Sequence, residues 1–128
     1  MADPKYILVV DDDPDLVEAV TAKLESAGHT VASAYDGVEA WDKIRAKRPD
    51  LVVLDVMMPK KNGYEVCGEI KNDEVYSDLP VILLTAVGSA VNTTTYTHKD
   101  GMQVEADEYV SKPVDLDRLL ALVEELAA

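Results

Sequence analysis

The sequence predicts a doubly wound α/β fold: a parallel sheet covered by helices on both faces. Three observations carry this. Short apolar runs alternate with amphipathic helical patterns along the chain. The runs Tyr6–Val10, Leu51–Leu54 and Val81–Leu84 are continuous and rich in Val, Ile and Leu, as strands buried on both faces are. The 128 residues, 48% of them apolar, suit a single domain (1–128) with a full hydrophobic core. Crossovers between parallel strands are expected to be right-handed.

Each element follows from local chemistry. After the first strand, Asp13 can cap a helix with Pro14 at its first position, where the missing N–H costs nothing. Leu16, Val17, Val20 and Leu24 then form an apolar stripe, and Gly28 ends the helix. Thr30–Ala34 is a weaker strand. Asp36 or Gly37 opens a second helix with Val38, Trp41 and Ile44 on one face, and Pro49 follows its end. Trp41 reads as core or interface packing. Asn62-Gly63 precedes a third helix carrying Val66, Cys67 and Ile70. Glu108–Ser111 is a short fifth strand. Asp115 caps a last helix whose stripe is Leu116, Leu119, Leu120, Val123 and Leu126. Residues 88–103, GSAVNTTTYTHKDGMQ, should hold a helix between the fourth and fifth strands. Three β-branched threonines and Gly101 interrupt that pattern, so a long loop with a shortened or displaced helix is expected. His98 lies in it without a neighbouring metal-type ligand and reads as a surface residue.

Composition narrows the function. The net charge of −13 argues against direct binding to DNA, RNA or an anionic membrane and favours a neutral or basic protein partner. No apolar run reaches transmembrane length, and MADPKY lacks the features of a signal peptide. Cys67, the single cysteine, cannot form an intrachain disulfide and reads as a small core residue. A cytoplasmic protein is expected.

The chemistry lies at the strand ends. Ligands of an open parallel sheet bind beyond the carboxyl ends of its strands. The first strand delivers Asp11 and Asp12, the third Asp55, the fourth Thr85 and the fifth Lys112. If these strands are neighbours, the side chains converge on one edge. Three carboxylates are hard oxygen ligands suited to Mg²⁺. A carboxylate can attack phosphorus to give an acyl phosphate, and phosphoryl transfer needs mainly positioning and charge neutralisation, which a metal, an ammonium and a hydroxyl supply. Taken singly, a DD pair is usually a helix cap, Lys-Pro a loop and a terminal Thr a good strand residue. The joint arrangement is the signal.

The segments ILVVDDDPD, PDLVVLDVMMPKKNGYEV, LPVILLTA and DEYVSKPVD resemble the receiver domain of two-component response regulators, over essentially the whole chain. The resemblance implies a flavodoxin-like, five-stranded parallel sheet of order 2-1-3-4-5. It implies transfer of a phosphoryl group from a histidine kinase or phosphotransfer protein to one Asp, with Mg²⁺. By position, Asp55 is the phosphoacceptor and a metal ligand. Asp12 ligates the metal directly, Asp11 mainly through a metal-bound water, and the backbone carbonyl of Met57 is a further ligand. Thr85 bonds a phosphoryl oxygen, Lys112 pairs with the phosphoryl group, and the Lys112–Pro113 bond is cis. Tyr109 matches the switch aromatic, which turns inward as the Thr85 hydroxyl moves toward the new anion. Such a module catalyses its own phosphorylation and slow dephosphorylation and is otherwise no enzyme. It signals by binding a protein partner or relaying the phosphoryl group, and a phosphorylation-dependent homodimer is compatible with it.

The chain departs from the family in two places. The stretch from Thr85 to Tyr109 is a few residues longer than usual, with Glu105 where Gly is common. The Thr-rich loop is therefore expected to form an association surface, so that deleting residues 93–99 should alter partner binding. Met57 and Val87, two residues after Asp55 and Thr85, are apolar and cannot orient an attacking water, so slow self-dephosphorylation is expected. The rival readings are weaker. A haloacid-dehalogenase-like phosphatase needs an acid where Met57 stands. A nucleotide or flavin binder needs a phosphate-cradling loop where DDDPD stands. The complete Asp, Thr and Lys set argues against an unphosphorylated scaffold. No output segment follows the last helical pattern, so a stand-alone module is expected.

Overall fold

A computed structural model describes residues 3–58, 62–85 and 106–128. Its elements are β1 (Tyr6–Val10), α1 (Pro14–Ser26), β2 (Thr30–Ala34), α2 (Gly37–Ala46), β3 (Leu51–Asp55), α3 (Gly63–Asn72), β4 (Val81–Thr85), β5 (Glu108–Ser111) and α4 (Leu116–Leu126). The strands form one sheet of order β2-β1-β3-β4-β5, every pair parallel. The expected fold class and strand order are those observed. The segment 88–103, with His98 and the Thr-rich loop, lies outside the described residues, as do Val87 and Glu105.

Alternation of side chains along the strands divides the core in two. Leu8, Val10, Val52, Leu54, Val81 and Leu83 face α2 and α3, where Ala40, Trp41, Ile44, Val66, Cys67 and Ile70 complete one cluster. Ile7, Val9, Leu51, Val53, Ile82 and Leu84 face α1 and α4, whose Val17, Val20, Leu24, Leu119 and Val123 complete the other. The three central strands are therefore buried on both faces, which is why they read as unbroken apolar runs. The edge strand β2 is only half-buried along most of its length and read weakly for the same reason.

Capping sets the helix starts. The Asp13, Asp36 and Asp115 side chains each accept a backbone N–H of the following turn, from Asp15, Glu39 and Arg118. The turn after α1 uses Gly28 at φ +95°, a conformation with little penalty only for glycine. Two expectations shift. Gly63 is the first residue of α3 rather than a residue before it, and Asn62 is the cap. Val38 does not share the buried face of α2 but is 54% exposed. The buried stripe is Gly37, Ala40, Trp41 and Ile44, and Val38 lies roughly 100° around the helix from Gly37. Trp41 is held inward by its Nε1–H, which donates to Glu69 Oε1 at 2.6 Å, and by an edge-on contact with Tyr76.

Candidate functional site

The sheet register brings the strand ends level. Val10 pairs with Leu54, Asp55 with Leu84, and Thr85 with Ser111. Single backbone bonds carry the ladder past the strands: Asp11 N–H to Ala34 O, Val56 N–H to Leu84 O, and Lys112 N–H to Thr85 O at 2.7 Å. Asp11, Asp55, Thr85 and Lys112 thereby meet at the carboxyl edge.

The three consecutive aspartates divide the work. Asp11 is fully buried, with one carboxylate oxygen accepting the Asp13 N–H at 2.9 Å. Asp12 is exposed, and Asp13 caps α1. Carboxylate oxygens of Asp11, Asp12 and Asp55 lie within 4.8 Å of one another. Asp55 is 2% exposed, and its carboxylate accepts the Met57 N–H. The Lys112 ammonium stands between the two buried acids, 3.0 Å from Asp55 Oδ1 and 3.4 Å from Asp11 Oδ2. The Lys112–Pro113 bond is cis. The Thr85 hydroxyl is buried and reaches the Val110 carbonyl only at 3.5 Å, a weak bond. Tyr109 is partly buried against the cluster containing Leu83 and Tyr64.

Burial raises the Asp11 carboxyl to about 6; the Asp13 N–H and Lys112 oppose this, and the Asp55 charge adds to it. Burial also raises Asp55, against the pull of Lys112 and of the Met57 N–H. Burial alone would lower the Lys112 ammonium, but its bonds to Asp55 and Asp11 together outweigh that and raise it. Three carboxylates against one ammonium leave two negative charges in a partly dry site. The excess matches a divalent cation, and hard oxygen donors from three acids can hold one.

The model of the response regulator receiver domain matches residues 7–124. The chain belongs to this family. Receiver domains are signalling modules of two-component systems that accept a phosphoryl group from histidine kinases. The response regulator MprA of Mycobacterium sp. (strain KMS) is 44% identical over 118 residues, covering 92% of this chain and 48% of the relative. The DNA-binding dual master transcriptional regulator RpaA of Synechocystis sp. is 38% identical over 120 residues, covering 94% of this chain and 48% of the relative. This receiver chain thus spans about half the length of the curated relatives it matches. The chemotaxis response regulator CheY4 of Vibrio cholerae superposes with a TM-score of 0.83 at 26% identity, covering 97% of this chain and 99% of that one. No helix among the described residues is long and apolar enough to cross a membrane.

Among the described residues, Asp11, Asp12, Asp55, Thr85 and Lys112, all named from the sequence, meet at this edge, but the frame around them was missed. Asn62 and Glu65 form a reciprocal capping box at the start of α3, legible in hindsight as N-x-x-E. Asp107 Oδ2 accepts from both Lys71 Nζ at 2.7 Å and Val81 N–H at 2.8 Å, pinning the start of β5 onto β4 and α3. His29 is buried; its Nδ1 accepts the Lys5 N–H at 3.0 Å and its Nε2 lies 3.0 Å from Glu124 Oε2, which ties α4 to the opposite end of the sheet. No local pattern signals either link. Cys67 is buried, and burial pushes its thiol up to about 12, so it is inert packing.

Proposed function

We propose that this receiver domain is a Mg²⁺-dependent phosphorylation switch in which Asp55 accepts the phosphoryl group. The observation that carries this is the Asp55 carboxylate, buried and paired with Lys112 at 3.0 Å, with Asp11 and Asp12 grouped beside it. Asp11, Asp12, Asp55 and the Met57 carbonyl would hold the metal. When bound, Mg²⁺ neutralises charge on the phosphoryl oxygens.

The chain's own residues do the rest. An Asp55 carboxylate oxygen attacks the phosphorus of a phosphohistidine on a kinase or phosphotransfer protein; the new P–O bond forms as the P–N bond breaks, and the imidazole leaves. Lys112, already poised between two acids, transfers its pairing to the phosphoryl oxygens. The Thr85 hydroxyl, weakly engaged with Val110, turns to a phosphoryl oxygen. Tyr109 then packs further inward, and the population shifts toward a second surface. A change from mostly inactive to mostly active needs a few kcal/mol, which several charge-assisted hydrogen bonds supply.

The output is read by a protein partner, a second copy among the candidates. A net charge of −13 disfavours nucleic-acid contact by this chain itself, whereas RpaA is by name DNA-binding over a length twice that matched here. A single buried cysteine suits the cytoplasm. The test is intact-protein mass after incubation with acetyl phosphate, with and without Mg²⁺. A gain of one phosphoryl group that needs Mg²⁺ and vanishes in Asp55→Asn is expected. An equal gain in Asp55→Asn would refute the assignment.

A further inference from the structure

Helix α3 comes unusually close to the strand that carries Asp55. A Cβ built on Gly63 would lie 2.2 Å from the Asp55 carbonyl oxygen, 2.8 Å from Val56 Cα and 2.9 Å from the Asp55 carbonyl carbon. All three are backbone atoms, so no rotamer change relieves the contact. We propose that Gly63 is a positioning residue for phosphoryl transfer: its bare Cα lets the first turn of α3 seat on the Asp55–Val56 peptide and so aims the Asp55 carboxylate. This rests on the reading of Asp55 as phosphoacceptor.

The surrounding bonds make the seat rigid. The Gly63 N–H donates to Val56 O at 2.9 Å, while the Val56 N–H donates to Leu84 O at 3.0 Å. Val56 is thus held through its carbonyl by α3 and through its N–H by β4. The capping box of Asn62 and Glu65 fixes the same turn of α3. The residue after Val56 is Met57, whose N–H orients the Asp55 carboxylate. A side chain at 63 must therefore push either α3 off the strand or the Asp55–Met57 backbone out of line by about 1 Å, since buried atoms are close-packed. A misplacement of that size costs on the order of 100-fold in a reaction that depends on positioning. Helix propensity points the other way, because alanine is the better helix former. A loss on substitution therefore reports the contact and not the helix.

The experiment compares the native chain, Gly63→Ala and Val20→Ala. Val20 is core on the opposite face, between α1 and the sheet, and is a control for general loss of stability. Thermal melts establish folding. The rate of mass gain at saturating acetyl phosphate with Mg²⁺, and the Mg²⁺ affinity by calorimetry, report the site. Folded Gly63→Ala should react on the order of 100-fold more slowly and bind Mg²⁺ more weakly. Val20→Ala should keep the native rate while melting earlier. A native rate in Gly63→Ala, or an equal loss in both variants, overturns the proposal. If Gly63→Ala does not fold, Asn62→Ala takes its place. It keeps the glycine but opens the cap, and should slow the reaction several-fold; a native rate there overturns the proposal. If the native chain gains no phosphoryl group, the reading of Asp55 fails, and Mg²⁺ affinity alone decides Gly63. Weaker binding in Gly63→Ala then supports the positioning role, and unchanged or absent binding overturns it.

Discussion

Replacing Asp11 by Asn should make the metal-free protein more stable at neutral pH. Burial holds the Asp11 carboxyl at about 6, above its ordinary value of 3.8, with the Asp55 charge adding to the rise and the Asp13 N–H and Lys112 opposing it. The folded chain therefore binds that proton more tightly than the unfolded chain. The stability this confers is complete below pH 3.8 and is lost as pH rises through about 6. The gap is worth about 3 kcal/mol. Asn is isosteric and neutral and keeps an oxygen for the Asp13 N–H; the pull of Lys112 that it gives up is already counted in the raised value. The gain is therefore about 3 kcal/mol above pH 7. With an unfolding entropy of about 2.1 cal/mol/K per residue over 128 residues, that is a Tm rise of about 11 °C. The assay is calorimetric melting of both proteins in EDTA across pH 4–8. The difference should grow between pH 4 and 6.5 and then level off. Added Mg²⁺ should raise the Tm of the native chain and move the variant far less, because a ligand stabilises only the state that binds it. A variant that melts at or below the native protein at pH 8, or a difference independent of pH, would refute the reasoning.

Further outcomes follow from other contacts. Leu24→Ala, which empties a fully buried position between α1 and the sheet, should cost about 2–5 kcal/mol by urea denaturation without changing the phosphorylation rate of the folded fraction. Lys71→Met should cost about 1–3 kcal/mol, because it leaves the Leu79 carbonyl and Asp107 without their ammonium; a change within about 0.5 kcal/mol would show that β5 does not depend on this pin. Met57 is 69% exposed beside Asp55 and apolar. Met57→Glu should shorten the phosphoprotein lifetime several-fold by holding a water near the acyl phosphate, and an unchanged decay of the phosphorylated mass would count against that role.

The sequence by itself determined the described strands and helices, their alternation and which side chains stand at the strand ends. It could do so because strands buried on both faces must be apolar throughout, and because the residue at each strand end needs no knowledge of its neighbours to be identified. Asp13 and Asp115 were readable as caps, and Pro14 as a first-turn residue, since a cap acts within one turn of its own helix. The tertiary structure decided what depends on atoms far apart in the chain. It turned Asp11 into the site and left Asp12 at the surface, although the two are adjacent and identical. It buried Asp11 and Asp55, which raises their carboxyls, and set Lys112 between them, which opposes the rise. It left Val38 outside the buried stripe of α2 and turned Trp41 inward, where it bonds Glu69 on another helix. It buried His29 against Glu124, and it pressed Gly63 onto the Asp55 carbonyl, a contact that no local pattern encodes because its two partners meet only when α3 packs against β3.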